Sequence, residues 1–234
     1  PGASPLMVEG VARAYLWTRD PRFLDVLTNG LAAGAGGAGY GKSFSMYYRC
    51  APRVLADLAA CGLTMEQAYT PPRVEFSPPE WLARLPADQR IIIQAEDFTA
   101  QGVGQVEIVS DRQATMGGKA ITKWHQNEGH WLRWDFEVPQ AGRYRIVLRY
   151  ASGGEQPLRR LELDGAVPDP ALERIAFTPT GGYGHEARHW QYRPLADAGG
   201  KELVFDLAAG RHSIKMTNLG DGMALDFIVL VREG

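Results

Sequence analysis

His130-Trp-Leu-Arg-Trp-Asp-Phe-Glu-Val138 and Arg143-Tyr-Arg-Ile-Val-Leu-Arg-Tyr150, joined by Pro139-Gln-Ala-Gly142, decide the fold. In the first run Leu132, Trp134, Phe136 and Val138 fall on one side, and Arg133, Asp135 and Glu137 on the other. In the second, Tyr144, Ile146, Leu148 and Tyr150 alternate with Arg143, Arg145 and Arg149. Successive side chains of a strand point to opposite faces, so a period of two marks strands with one buried face and one wet face. The Pro139–Gly142 segment reads as a turn joining them.

Outward from this pair, similar short runs predict strands at 90–98, 105–110, 120–123, 160–164, 173–178, 202–207, 211–217 and 224–231. Many short strands with Gly and Pro between them predict an antiparallel sandwich or jelly roll. Trp131, Trp134, Tyr144 and Tyr150 belong to its packing by their position on strands.

Upstream of residue 90 the period changes. Pro71, Pro72, Pro78, Pro79 and Pro86 make residues 63–89 a proline-rich linker running along a surface. Residues 1–62 read as helical. Ser4-Pro5 and Asp20-Pro21 are start signals. Leu6, Val11, Ala14 and Tyr15, then Phe23, Leu24, Leu27 and Leu31, follow helical spacing. A third helix begins near Pro52 and stops at Gly62. The fold class is therefore an all-β jelly-roll sandwich, over residues 90–234, preceded by a small α-helical segment.

The 234 residues carry a net charge of -2, with 45% hydrophobic and 22% charged residues, which is ordinary for a globular chain. Nothing in that balance favours a nucleic-acid partner. No apolar run is long enough to span a bilayer, so no membrane role is expected. The chain opens on Pro1 without a signal peptide and reads as a mature or excised piece of something longer. Cys50 and Cys61, if on one helix, are separated by roughly 16 Å of rise. A disulfide needs about 7 Å, so both read as free thiols.

Gly36-Gly-Ala-Gly-Tyr-Gly41-Lys42-Ser43 satisfies the phosphate-loop pattern. That loop functions only after a buried strand of a parallel α/β sheet. Here a helical segment precedes it, so the run reads as an interhelical loop.

Two strand positions carry acids where apolar residues are the rule. Gln94 and Glu96, two apart on the first strand, should share a face. Asp226 interrupts the apolar run Ala224-Leu-Asp-Phe-Ile228 of the last. A buried carboxylate must be paired, hydrogen-bonded or metal-bound. If first and last strands are neighbours, Glu96 and Asp226 could share a Ca²⁺, completed by backbone carbonyls; the alternative is ion pairing with Arg or Lys.

The ordered blocks Ile93-Gln-Ala-Glu-Asp-Phe98, Met116-Gly-Gly-Lys-Ala120, Asn127-Glu-Gly-His-Trp131, Val138-Pro-Gln-Ala-Gly-Arg-Tyr144, Leu148-Arg-Tyr-Ala151, Leu207-Ala-Ala-Gly-Arg-His212 and Leu225-Asp226 resemble carbohydrate-binding modules of families six and thirty-five. The resemblance covers about residues 90–234. It implies a jelly roll with a structural calcium whose side-chain ligands match Gln94, Glu96 and Asp226. It also implies a sugar site in the loops at one end. There Trp124 and Trp190 match the family's aromatic positions, with Asn127, Asn218 and Asp221 as polar contacts and Tyr183, within Gly181-Gly-Tyr-Gly184, as a further aromatic. Packing is the alternative role for Trp124 and Trp190. The family often places Asn two residues before the last Asp, where this chain has Ala224. The five histidines show no metal-ligand spacing and read as surface residues, some able to touch a ligand.

Residues 11–24 and 49–55 resemble the last helical hairpins of an alpha/alpha toroid, as found in polysaccharide lyases and glycoside hydrolases. That implies the end of a larger catalytic chain, with this part itself no enzyme. No pair of carboxylates can be nominated for glycoside hydrolysis, and no serine sits in a nucleophile elbow. The leading expectation is a non-catalytic, calcium-stabilised module that binds a polysaccharide for a secreted or periplasmic parent enzyme. Lys119, Lys123 and Arg188 make an acidic polysaccharide conceivable. The alternative is a structural sandwich that braces the catalytic domain without binding glycan.

Overall fold

All ten strands expected from alternation are present, and two unforeseen ones, Ala100–Gly102 and Gln191–Pro194, join them. The computed structural model describes residues 8–18, 20, 22–23, 53, 56, 59–60, 62, 73–154 and 156–233. The chain divides into two compact units, 1–73 and 74–234.

In the first unit, helix α1 spans Val8–Thr18 and buries Ala12. Asp20 accepts from the backbone N–H of Arg22 on its side chain and from that of Phe23 on its carbonyl, as a helix start requires. Gly62 stands at φ +76° and donates to the Ala59 carbonyl, the left-handed stop expected of it. The cysteines and the glycine-rich loop 36–43 lie outside the described residues.

The second unit is a sandwich of two antiparallel sheets. In chain order the strands are β1 Arg90–Gln94, β2 Ala100–Gly102, β3 Glu107–Val109, β4 Ala120–Thr122, β5 Trp131–Val138 and β6 Gly142–Ala151. They continue with β7 Leu158–Leu163, β8 Ile175–Ala176, β9 Gln191–Pro194, β10 Val204–Leu207, β11 Gly210–Gly220 and β12 Ala224–Arg232. One sheet runs β10-β6-β12-β4-β3, with β1 also on β12 and β9 also on β6; the other runs β2-β5-β11-β7-β8. β5 and β6 therefore belong to opposite sheets. The Pro139–Gly142 segment is a crossover between layers rather than a hairpin turn, and the Tyr144 hydroxyl pins it by donating to the Gln140 carbonyl at 2.6 Å.

Between the sheets lie Trp124, Leu132, Trp134, Ile146, Leu148, Leu161, Ile214, Met216, Leu225, Ile228 and Leu230 among others. At about 25 cal/mol per Å² of apolar surface removed from water, this layer is the main stabilising term. β12 carries a bulge. Leu225 pairs with Tyr150 and Phe227 with Arg149, which leaves Asp226 as the extra residue. The bulge shifts the alternation by one, so Phe227, Val229 and Val231 face outward.

That outward face is not wet. Residues 74–89, expected as linker, belong to the sandwich unit and cover it. Helix α2, Glu80–Ala83, drives Leu82 into a second cluster with Val147, Phe227, Val229 and Val231, and Phe76 and Leu85 pack against it. The cover also buries Arg149, which alternation placed in water: it is 5% exposed.

Candidate functional site

The loops between β3 and β4, after β4, before β9 and before β12 meet at one end of the sandwich. Between them lies a cleft of about 330 Å³ lined by Arg112, Lys123, His125, Tyr183, His185, Asp221 and neighbouring backbone. Tyr183 forms one wall. Its ring lies so near Gly153 that a Cβ there would come within 2.7 Å of it. Gly222 sits between His125 and Tyr183; a Cβ there would be 3.1 Å from the His125 Cβ and 3.5 Å from the Tyr183 hydroxyl. At Gly153 a side chain would displace the Tyr183 ring, and at Gly222 it would crowd His125 by a few tenths of an ångström.

Two of the lining residues, Lys123 and Asp221, hold left-handed backbone at φ +60° and +56°. Such conformations cost of order 1–3 kcal/mol each and cluster where function needs a side chain aimed. Asp221 is fixed by backbone donors from Gln156 at 2.8 Å and Gly222 at 2.7 Å. Lys123 pairs with Glu107 at 2.8 Å across the rim. Arg112 reaches Asp111 and lies 3.4 Å from Nδ1 of His185. Burial, then the Arg112 charge, holds the His185 imidazole below its ordinary pKa, so the ring is neutral at pH 7. Burial and Asp221 push the Tyr183 phenol up, keeping it a hydroxyl. The cleft thus offers a phenol, two imidazoles, a guanidinium, an ammonium and two carboxylates, with its charges largely paired.

Of the residues expected to touch sugar, Tyr183 and Asp221 line this cleft. Trp124 does not: it is fully buried, donates from Nε1 to the His130 carbonyl at 3.2 Å and packs edge-on against Trp134. Trp190 is 7% exposed, donates to the Gln113 carbonyl at 2.7 Å and rests among Ala120, Ala151 and Ala224. Ala224, where the family often has Asn, thus helps floor the slot that takes this indole. Asn218 is 1% exposed and fully engaged, accepting from Arg159 and Gly220 and donating to the Asn127 carbonyl. Asn127 is exposed but outside the cleft lining, with its amide donating to the Val103 carbonyl at 2.8 Å. Trp124, Trp190 and Asn218 are therefore placed outside this cleft, buried and with their indole and amide N–H groups donating to backbone carbonyls. The alternation-free loops gave no period from which to read this. His125 and His185, two of the five histidines without metal spacing, also line the cleft, one residue after Trp124 and two after Tyr183.

The loops are held by Arg159. Its guanidinium donates to the carbonyls of Trp124, Leu158, Gly220 and Asp221 and to Oδ1 of Asn218. It also stacks over the Trp124 ring at 4.6 Å. Burial lowers its pKa to about 9, opposed by Asp221, and it remains charged at pH 7.

β1 and β12 are antiparallel neighbours, with Gln94 opposite Phe227, so Asp226 lies beside the end of β1. Glu96 is not on the strand. The chain leaves the ladder after Gln94 into a 3₁₀ turn, Ala95–Asp97, because pairing with β12 ends at the bulge. Asp226 is fully buried, accepts from the Met116 N–H at 3.0 Å and is ion-paired to Arg149. The ion-pairing alternative is thus realised for Asp226. Arg149 also donates to the Ala114 carbonyl, with Phe76, Trp190, Tyr192 and Phe227 rings 4.9–5.9 Å around it. Even so, burial pushes the Asp226 pKa up to about 7, and Glu96 adds to the rise. Burial likewise raises Glu96. Gln94 Oε1 and Glu96 Oε2 are buried without a hydrogen-bond partner. Two orphaned hard oxygens beside a destabilised carboxylate are a donor set that fits a hard dication better than a soft metal. Among the described residues no three His, Cys, Asp or Glu side chains cluster for a metal. A calcium here would need the Gln94 amide and backbone oxygens.

No family model and no curated protein matches the chain. Solved structures do. The chain is similar to a family 35 carbohydrate-binding module from Clostridium thermocellum, at 21% identity and TM-score 0.48, over 62% of this chain and 98% of that one. It is similar to a family 6 module of the Cellvibrio mixtus lichenase 5A, solved with cellotriose, at 25% identity and TM-score 0.43, over 62% and 98%. It is similar as well to a Podospora anserina β-(1,4)-mannanase carrying a family 35 module, at 15% identity and TM-score 0.48, over 63% of this chain and 28% of that one. No described helix is long and apolar enough to cross a membrane.

Proposed function

We propose that residues 74–234 are a non-catalytic carbohydrate-binding module, and that the cleft of Tyr183, His125 and Asp221 holds its glycan. The observation that carries this is the cleft itself: an aromatic side chain and two imidazoles beside paired charges, on strained backbone, at a loop end of the sandwich. Aromatic faces take the C–H face of a sugar ring, and amide-like and charged groups bond its hydroxyls. The ordered sequence blocks support the same reading. The module would deliver a secreted or periplasmic polysaccharide-degrading parent chain to its substrate.

Calcium belongs to this proposal. Gln94, Glu96 and Asp226 would hold it with carbonyls of the adjoining loop, and bound there it would crosslink β12 to the turn after β1. The ion would take up the charge that burial makes costly on Glu96 and Asp226.

A second reading is a brace that binds no glycan. The burial of Trp124 and Trp190, the residues a sugar site was expected to present, favours it. A glycan array probed with the whole chain, with and without a calcium chelator, separates the two. Binding to a defined glycan, weakened in Tyr183→Ala, is the expected result. A folded chain that binds nothing on the array leaves bracing.

A further inference from the structure

Residues 74–89 lie outside the blocks that resemble the sugar-binding families, and they add a surface those blocks do not contain. Helix α2 buries Leu82 completely yet leaves its neighbour Trp81 40% exposed. Closing the outer face does not require this indole, since Phe76, Leu82 and Leu85 already pack there. Trp81 meets Tyr192 edge to face, with ring centroids 5.5 Å apart and planes at 85°. Together with Val147 and Pro194 they border a groove of about 250 Å³. Arg145 and Glu202 complete its border, paired at 2.7 Å and each about two-fifths exposed.

The chemistry of the groove restricts its occupant. Arg145 is neutralised by Glu202, which disfavours a simple anion. The other exposed large apolar residues of this unit, Val74, Val103 and Ile108, do not line the groove. The apolar patch is therefore small for a stable protein interface. An aromatic wall with a guanidinium–carboxylate pair beside it suits a neutral pyranose: the ring's C–H face against the indole, vicinal hydroxyls bridging the two charges.

We infer that Trp81, Tyr192, Arg145 and Glu202 form a second glycan site, for a neutral polysaccharide, on the outer face of the β6–β12 sheet. It shares no residue with the loop cleft. It rests on the proposed function only for the class of ligand. Two sites on one chain would act on a polymer by avidity, without new contacts at either.

The test is affinity electrophoresis of the whole 234-residue chain through gels containing hydroxyethylcellulose, laminarin, galactomannan or β-1,3-galactan. Trp81→Ala, Tyr183→Ala and the double variant are compared on the polymer that retards the parent chain, after thermal melts show each folded. Trp81→Ala should weaken retardation at least threefold, and the double variant should abolish it. Glu202→Gln, which leaves the apolar packing intact, should weaken it in the same gel. Retardation unchanged in both Trp81→Ala and Glu202→Gln, but lost in Tyr183→Ala, overturns the second site and leaves the loop cleft standing. Loss in Trp81→Ala with none in Tyr183→Ala supports the second site and overturns the loop cleft. No retardation of the parent chain by any of the four overturns both.

Discussion

Arg159 donates from Nη1 to Oδ1 of Asn218 at 2.7 Å, and neither residue has more than 1% of its surface in water. This contact joins β7 to β11 beneath the loops that carry His125 and Asp221. Breaking it strands several carbonyls. Arg159→Met should cost several kcal/mol in urea unfolding, since each buried neutral acceptor left without its donor costs about 1–3 kcal/mol. Arg159→Lys keeps the charge but cannot span five acceptors with three donors. It should fold with a smaller loss and bind the glycan more weakly than the parent.

Calcium should stabilise the whole chain. At a free concentration one hundred times its Kd, binding contributes about 2.7 kcal/mol, so the melting temperature should fall on chelation and recover on adding Ca²⁺ in excess. Glu96→Gln should erase that response. A melting temperature indifferent to chelator and calcium would remove calcium from the account.

Trp124 and Tyr183 should respond oppositely to truncation. Trp124→Ala removes a fully buried indole and should destabilise the chain by about 3–5 kcal/mol. Tyr183→Ala should leave stability far less changed and lose glycan binding at the cleft. Binding and melting measured on the same two preparations decide the matter.

Gly222→Ala tests the cleft with one methyl. The added carbon would enter between His125 and Tyr183 at 3.1 Å and 3.5 Å. It should weaken binding several-fold by calorimetry, with a melting temperature within a few degrees of the parent.

His212 makes part of the stability pH-dependent. Burial alone would lower its imidazole, but the Asp164 carboxylate at 2.6 Å and the Ala208 carbonyl at 2.9 Å outweigh this and hold its pKa above the ordinary value. A raised folded pKa means the protonated ring stabilises the fold fully below about pH 6.5, the unfolded value. The contribution is lost as pH rises through the higher folded value. Melting temperatures between pH 6 and pH 8.5 should therefore fall more in the parent than in His212→Gln.

The sandwich could be read from residues such as Leu132, Trp134, Ile146 and Leu148, because burial of one strand face writes itself as a period of two. Arg149 could not. Its alternation with Arg143 and Arg145 says solvent, and its cover comes from distant residues, Phe76, Trp190, Tyr192 and Phe227. Asp226 was conspicuous because an acid in an apolar run has few physical outcomes; which partner it takes depended on Arg149 across the ladder. The cleft proposed for glycan was half legible. Tyr183 and Asp221 stood in short glycine-bounded loops at the right end. Trp124 and Trp190 stood in loops too, but their burial was decided by distant neighbours, Trp134 and Arg159 for the first and Ala120, Ala151 and Ala224 for the second, which no local pattern displays. His125 and His185 become cleft residues only when four separate loops converge.

The cover laid by Phe76, Leu82 and Leu85 over Phe227, Val229 and Val231 sets where the protein can be cut. A fragment begun at Arg90, where the recognisable blocks start, would uncover an apolar sheet face and a caged guanidinium. One begun at Val74 keeps both sealed. The compact unit that keeps this face covered is therefore longer than its recognisable signature.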